Sequence, residues 1–70
     1  MISYDPLRRL MEKQKITSYD LRAKAHISGS TWERIKENES VSTNTIDTLC
    51  AFLDCAVSDI MEFIRDESAS

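Results

Sequence analysis

Two helix-start signals, Thr17 and Ser28, divide the stretch TSYDLRAKAHISGSTWERI into two short helices and a turn. Thr17 is a good N-cap, and Asp20 follows three residues later, close to a capping-box arrangement. Leu21 and Ala25 then share one helix face at i and i+4. The period breaks at His26 and Ile27, and Ser28 caps a new one carried by Trp32 and Ile35. Two helices this short, joined this abruptly, form a helix-turn-helix.

At 70 residues the chain is one domain with a small core. The pattern predicts five short helices and no strand, an all-α fold. The first runs from about Pro6 to Gln14, capped by Asp5, with Leu7, Leu10 and Met11 as its apolar stripe. The second covers Ser18 to Ala25 and the third Gly29 to Glu37. A polar loop, Asn38 to Ser42, tucks Val41 inward. Ser42 or Thr43 caps the fourth helix, which carries Ile46, Leu49, Cys50 and Leu53. After a turn at Asp54 to Ala56, Ser58 caps a fifth helix with Ile60, Met61 and Ile64, and Val57 stands just before the cap. Residues 1–65 make the domain, and the tail 66–70 frays.

Helices of about ten residues are marginal alone, so mutual packing must hold them. The expected core is Leu7, Leu10, Met11, Ile16, Leu21, Ala25, Ile27, Trp32, Ile35, Val41, Ile46, Leu49, Leu53, Val57 and Ile60. Trp32 is its largest expected member. The competing role for that ring, stacking on single-stranded bases, is disfavoured by Ile35 on the same face.

Other classes find little support. No apolar run approaches the ~20 residues a bilayer span needs, and the N-terminus lacks a secretory pattern, so a cytoplasmic protein is expected. Cys50 and Cys55 have no second pair, and His26 is the single histidine; buried thiols are expected rather than a metal site or a disulfide. The chain has no glycine-rich phosphate loop and no nucleophile–histidine pairing. No enzyme activity, cofactor, membrane contact or small-molecule ligand is expected.

Net charge is −3, unpromising for nucleic acid, but its distribution is lopsided. Residues 1–38 hold eight Lys/Arg against five acids, +3, while residues 39–70 hold Arg65 against seven acids, −6. The basic half coincides with the two-helix motif, an asymmetry able to orient the chain on phosphate. Ser28, Ser30 and Thr31 crowd the start of the third helix, where free amides and the macrodipole favour an anion. The second helix of such a motif enters the major groove with its N-terminal residues on base edges. Gly29, Ser30, Thr31, Glu33 and Arg34 are therefore the candidate base contacts. Arg34 suits guanine O6 and N7; Glu33 suits cytosine N4, or pairs with a neighbouring Arg. Candidate phosphate contacts are Ser28, Lys36, Asn38, Ser42, Thr43 and Asn44. Arg8 and Arg9 on the first helix are read as peripheral.

On these residues the chain, from roughly Tyr4 to Phe63, resembles the Cro/cI-type (XRE-like) repressor domain. The resemblance implies a five-helix lambda-repressor-like fold and a sequence-specific, double-stranded-DNA-binding transcriptional regulator of bacterial or phage type. It adds Ser18 as a backbone clamp and implies a homodimer. The surplus apolar residues Phe52, Met61, Phe63 and Ile64 are the candidate seam. Three positions depart from the family pattern. His26 stands where Gly is usual, Arg22 where a small residue is usual, and Gly29 and Ser30 where longer base-reading side chains are frequent. The last departure implies weaker or less selective readout. The alternative function is a protein-interaction module, an antirepressor or accessory regulator, acting through the acidic C-terminal half.

Overall fold

The computed structural model describes residues 1–65, so the expected fraying of the tail lies outside it. Four α-helices appear in order: α1 (Asp5–Gln14), α2 (Ser18–Ala23), α3 (Gly29–Lys36) and α4 (Thr43–Leu53). Tyr4, not Asp5, occupies the N-cap of α1 and provides no side-chain cap, while Pro6 sits in the first turn, where its missing N–H costs nothing. Ser42 rather than Thr43 caps α4.

The expected fifth helix does not form. Val57–Asp59 makes a single 3-10 turn, and Glu62–Phe63 is a short strand, β2, antiparallel to β1 (Ile2–Ser3). Ile2 pairs with Phe63 and Ser3 with Glu62. Ser58 is not the cap; the Asp59 carboxylate accepts the Ala56 N–H at 3.1 Å. A segment this short cannot offset the cost of nucleating an α-helix, and the N-terminal residues offer it a strand partner instead. The Met1 ammonium donates to the Ile64 carbonyl at 2.7 Å, and the Ile64 N–H returns a bond to the Met1 carbonyl at 2.8 Å. The fold is thus mostly helical with a small sheet, not all-α.

Leu7, Leu21, Ile35, Leu49 and Ile60 form the fully buried centre of one core, joined by Met11, Ala25, Ile27, Ile46 and Leu53. Leu10, Ile16, Trp32 and Val41 only pack against its rim, so the Trp32 ring is not the central member expected. Val57 is 51% exposed, because the 3-10 turn directs it outward instead of stapling a helix. Tyr4 and Ser3 are buried in its place. Cys50 and Cys55 are free and half-buried rather than fully buried. The Cys55 N–H bonds the Cys50 carbonyl at 3.1 Å around Asp54, a left-handed residue that ends α4. Burial, and then the neighbouring Cys50, Asp59 and Asp54, push the Cys55 thiol up.

Four non-glycine residues close the helices with positive φ: Lys15 (59°), His26 (60°), Asn38 (57°) and Asp54 (52°). His26 therefore adopts the conformation for which glycine is ordinarily favoured. The single glycine, Gly29, is instead the first residue of α3, where an added Cβ meets nothing within 4 Å. Among the described residues, no helix is long and apolar enough to cross a membrane.

Candidate nucleic-acid interface

The geometry of α2 and α3 is set by short-range bonds. Thr17 Oγ1 accepts the Asp20 N–H at 3.2 Å and Asp20 Oδ2 accepts the Thr17 N–H at 3.0 Å, completing the capping box. The Thr17 amide bond is the main reason the Asp20 carboxyl titrates below its ordinary range; the Thr17 hydroxyl and Lys24 add to it. At the other end of α2, the Ala25 and Ile27 N–H groups both donate to the Leu21 carbonyl, at 3.2 and 3.0 Å. That closure and the left-handed His26 turn the chain into α3 while burying Leu21, Ala25 and Ile27. His26 itself is exposed.

The starts of α3 and α4 are built alike. Ser28 Oγ accepts the Thr31 N–H at 3.1 Å and donates to Thr31 Oγ1 at 2.8 Å. Ser42 Oγ accepts the Thr45 N–H at 3.2 Å and lies 3.2 Å from Thr45 Oγ1. The two capped turns sit side by side. Thr31 and Thr45 both line two adjoining shallow depressions, one flanked by Ser28, Asn44 and Thr48, the other by Arg34, Ser40 and Ser42. The result is a continuous hydroxyl-lined surface at which two helix N-termini present first-turn amides that lack intrahelical partners.

The structure thus brings together Ser28, Thr31, Arg34, Ser42 and Asn44 from the candidate set. Arg34 is exposed and, among the described residues, takes part in no ion pair. Gly29 and Ser30 are exposed in the first turn of α3, with Ser30 Oγ 3.2 Å from Ser28 Oγ. Glu33 is held by Lys36 at 3.0 Å, so two candidate contacts neutralise one another in the free chain. Exposed pairs of this kind are worth only about 0–1 kcal/mol, so a nucleic acid can separate them cheaply. Ser18 opens α2 at its first position. Thr43 stands apart, lining an apolar depression with Ile46, Asp47, Cys50, Val57 and Met61. Asn38 faces inward: its Oδ1 accepts the Tyr4 N–H at 3.1 Å.

Of the candidate seam, Phe52 and Met61 are half-buried against the core, whereas Phe63 and Ile64 are exposed beside Met1 and Ile2. Ser40, Thr45 and Thr48 line the depressions beside Thr31 and escaped the sequence reading. Thr45 and Thr48 could have been found from their spacing after the Ser42 cap, on the polar side of Ile46 and Leu49.

The chain also has known likenesses. It is similar over its backbone to the crystal structure of the transcriptional regulator VanUg, with a TM-score of 0.86 and 29% identity, covering 93% of this chain and 87% of that one. No curated protein sequence matches it. The Cro/C1-type HTH DNA-binding domain matches residues 6–66, nearly the whole of the capped four-helix body described above. With that match laid over the helix-turn-helix of α2 and α3, the chain belongs to the Cro/C1-type helix-turn-helix DNA-binding family.

Proposed function

We propose that this chain is a sequence-specific regulator of transcription that acts, repressor-like, by occupying a double-stranded operator, with α3 in the major groove. One observation carries this reading: Arg34, which takes part in no ion pair among the described residues, stands beside a hydroxyl-lined surface where the N-terminal turns of α3 and α4 converge. Arg34 supplies the one long base-edge donor, suited to guanine O6 and N7. Ser30, Thr31 and Glu33 supply short contacts, and Gly29 admits close approach of the helix to the groove. Ser18, Ser28, Ser42 and Asn44 hold the flanking phosphates, with Lys36 joining them once Glu33 lets go. Thr43 and Asn38 contribute through backbone position rather than side chain. Two copies act together, placing α3 helices about 34 Å apart along the duplex. The exposed Phe63 and Ile64, with Met1 and Ile2, form the contact between them.

The protein-interaction reading draws on the acidic C-terminal half and on the apolar depression around Ile46, Cys50, Val57 and Met61. One assay separates the two. Fluorescence anisotropy against a randomised duplex pool, titrated with salt, should enrich a site, and a palindromic site supports the dimer. Arg34→Ala should weaken that site by about 1–3 kcal/mol and relax selectivity at one base pair. Absence of binding at low salt excludes the operator and moves attention to a protein partner.

A further inference from the structure

We propose that Arg8, on α1, is a positioning residue for DNA recognition: its guanidinium grips the carboxyl end of α3 and fixes the tilt at which that helix meets the groove. The proposal rests on α3 being the helix that reads DNA.

A helix ends in carbonyls that have no intrahelical partner and carry the negative end of its dipole. In α3 the following backbone meets part of this demand, with the Glu39 N–H on the Arg34 carbonyl at 2.8 Å and the Asn38 N–H on the Ile35 carbonyl at 3.1 Å, and another element meets the rest. Arg8 Nη2 donates to the Ile35 carbonyl at 2.9 Å and to the Lys36 carbonyl at 2.8 Å. Its Nη1 is held by the Asp5 carboxylate one turn back on α1, which fixes the direction of the fork. Two further bonds secure the same end of α3. The Tyr4 N–H donates to Asn38 Oδ1 at 3.1 Å, and the Tyr4 hydroxyl donates to the Glu39 carbonyl at 2.8 Å. Asn38 is left-handed, so the chain leaves α3 where Tyr4 and Arg8 hold it. The opposite end of α3 is set by its own Ser28 cap and the His26 turn.

The lever explains why this grip matters for binding and not only for folding. Eight residues make a helix roughly 12 Å long. A tilt of about 10° therefore displaces one end by roughly 2 Å, more than a bidentate Arg–guanine contact tolerates. The bare charge of Arg8 is not what does this. Lysine keeps the charge but has one nitrogen and no planar fork, so it cannot rest on Asp5 through one atom while a second, Nη2 in arginine, bonds both carbonyls.

The test compares wild type, Arg8→Lys, Arg8→Gln and Tyr4→Phe on the enriched duplex and on an unrelated duplex across a salt series. Circular dichroism identifies the variants that fold. The expected result is a roughly tenfold fall in the ratio of specific to non-specific affinity for both Arg8 variants. Non-specific affinity and salt slope should stay at wild-type values for Arg8→Lys. Tyr4→Phe deletes the hydroxyl's bond to the Glu39 carbonyl and its contact with the Val41 backbone while keeping the Tyr4 N–H bond to Asn38. It should show a smaller fall of the same kind, and it serves if the Arg8 variants unfold. An unchanged ratio in every folded variant overturns the positioning role. So does an equal loss on both duplexes with a salt slope lower by about one, which marks Arg8 as a phosphate contact itself. A wild type that selects no duplex overturns the operator function and this proposal with it, an outcome visible before any Arg8 variant is measured.

Discussion

Between Thr17 and Lys36 nearly every polar bond closes within one or two helical turns, whereas the terminal face is joined by bonds that span most of the chain. The Thr17–Asp20 box, the Leu21 carbonyl with its two donors and the Ser28–Thr31 cap are all local. The Met1–Ile64 pair is 63 residues apart in sequence, and the Leu7 N–H reaches the Ile60 carbonyl at 3.2 Å. The first region takes its local shape from residue type and spacing, with Arg8 reaching in from α1 only at the end of α3; the second holds only because the rest of the domain delivers its two ends together. Both nevertheless insert a fully buried isoleucine into the same core, Ile35 from α3 and Ile60 from the terminal face.

The strongest way to break the contrast is to empty those two positions in turn. Ile35→Ala and Ile60→Ala should each cost about 2–5 kcal/mol in urea unfolding, with one transition at every probe. Equal losses mean that the terminal face belongs to the cooperative core despite its irregular backbone. A loss below about 1 kcal/mol at Ile60 would instead separate that face from the core.

A smaller effect tests what the left-handed residues contribute. His26→Gly relieves a positive φ on an exposed side chain that makes no hydrogen bond among the described residues, and should raise stability by about 0.5–1 kcal/mol. Asn38→Gly relieves the same strain but removes the acceptor of the Tyr4 N–H, so it should destabilise. Thermal melts of the two variants should therefore shift in opposite directions. A gain at both would show that Asn38 is only a turn residue.

The same division governs what could be read from the sequence. The helix-turn-helix was legible because its determinants are caps and periods: Thr17 with Asp20, Ser28, and the Leu21–Ala25 and Trp32–Ile35 pairs. The resemblance to the family was legible in that segment. The β1–β2 pairing was not legible, because two-residue strands contain no alternation and their partner lies at the other end of the chain. Ile60, Met61 and Ile64 mimic a helical period by chance, which suggested a fifth helix where a 3-10 turn and a strand form. Val57 and Trp32 were misplaced for a related reason, since periodicity names a face but not how deeply the neighbouring element covers it. In the candidate interface, Thr31, Arg34 and Ser42 come together as their positions imply. The pairing of Lys36 with Glu33, and the inward turn of Asn38 to meet Tyr4, depend on side-chain contacts that spacing does not specify. Arg8 was read as peripheral for the same reason: its acceptors, the Ile35 and Lys36 carbonyls, are backbone atoms of a distant helix.

The smallest expected effect distinguishes the two regions by pH. Asp20 belongs to the local region, and its carboxyl in the fold titrates below the ordinary 3.8 because the Thr17 N–H favours the ionised form. A depressed carboxylate contributes stability that is present above pH 3.8 and is lost as pH falls through the folded value. Tyr4 belongs to the long-range region, and burial raises its phenol above the ordinary 10.0, against a smaller opposing pull from the Val41 backbone. A raised phenol contributes stability that is complete below pH 10.0 and is lost as pH climbs through the folded value. Urea midpoints across pH should therefore decline at both extremes. Asp20→Asn should flatten the acid side alone and Tyr4→Phe the alkaline side alone. If Tyr4→Phe also flattened the acid limb, the two regions would be coupled through α1, and the division between local and long-range structure would have to be redrawn along that helix.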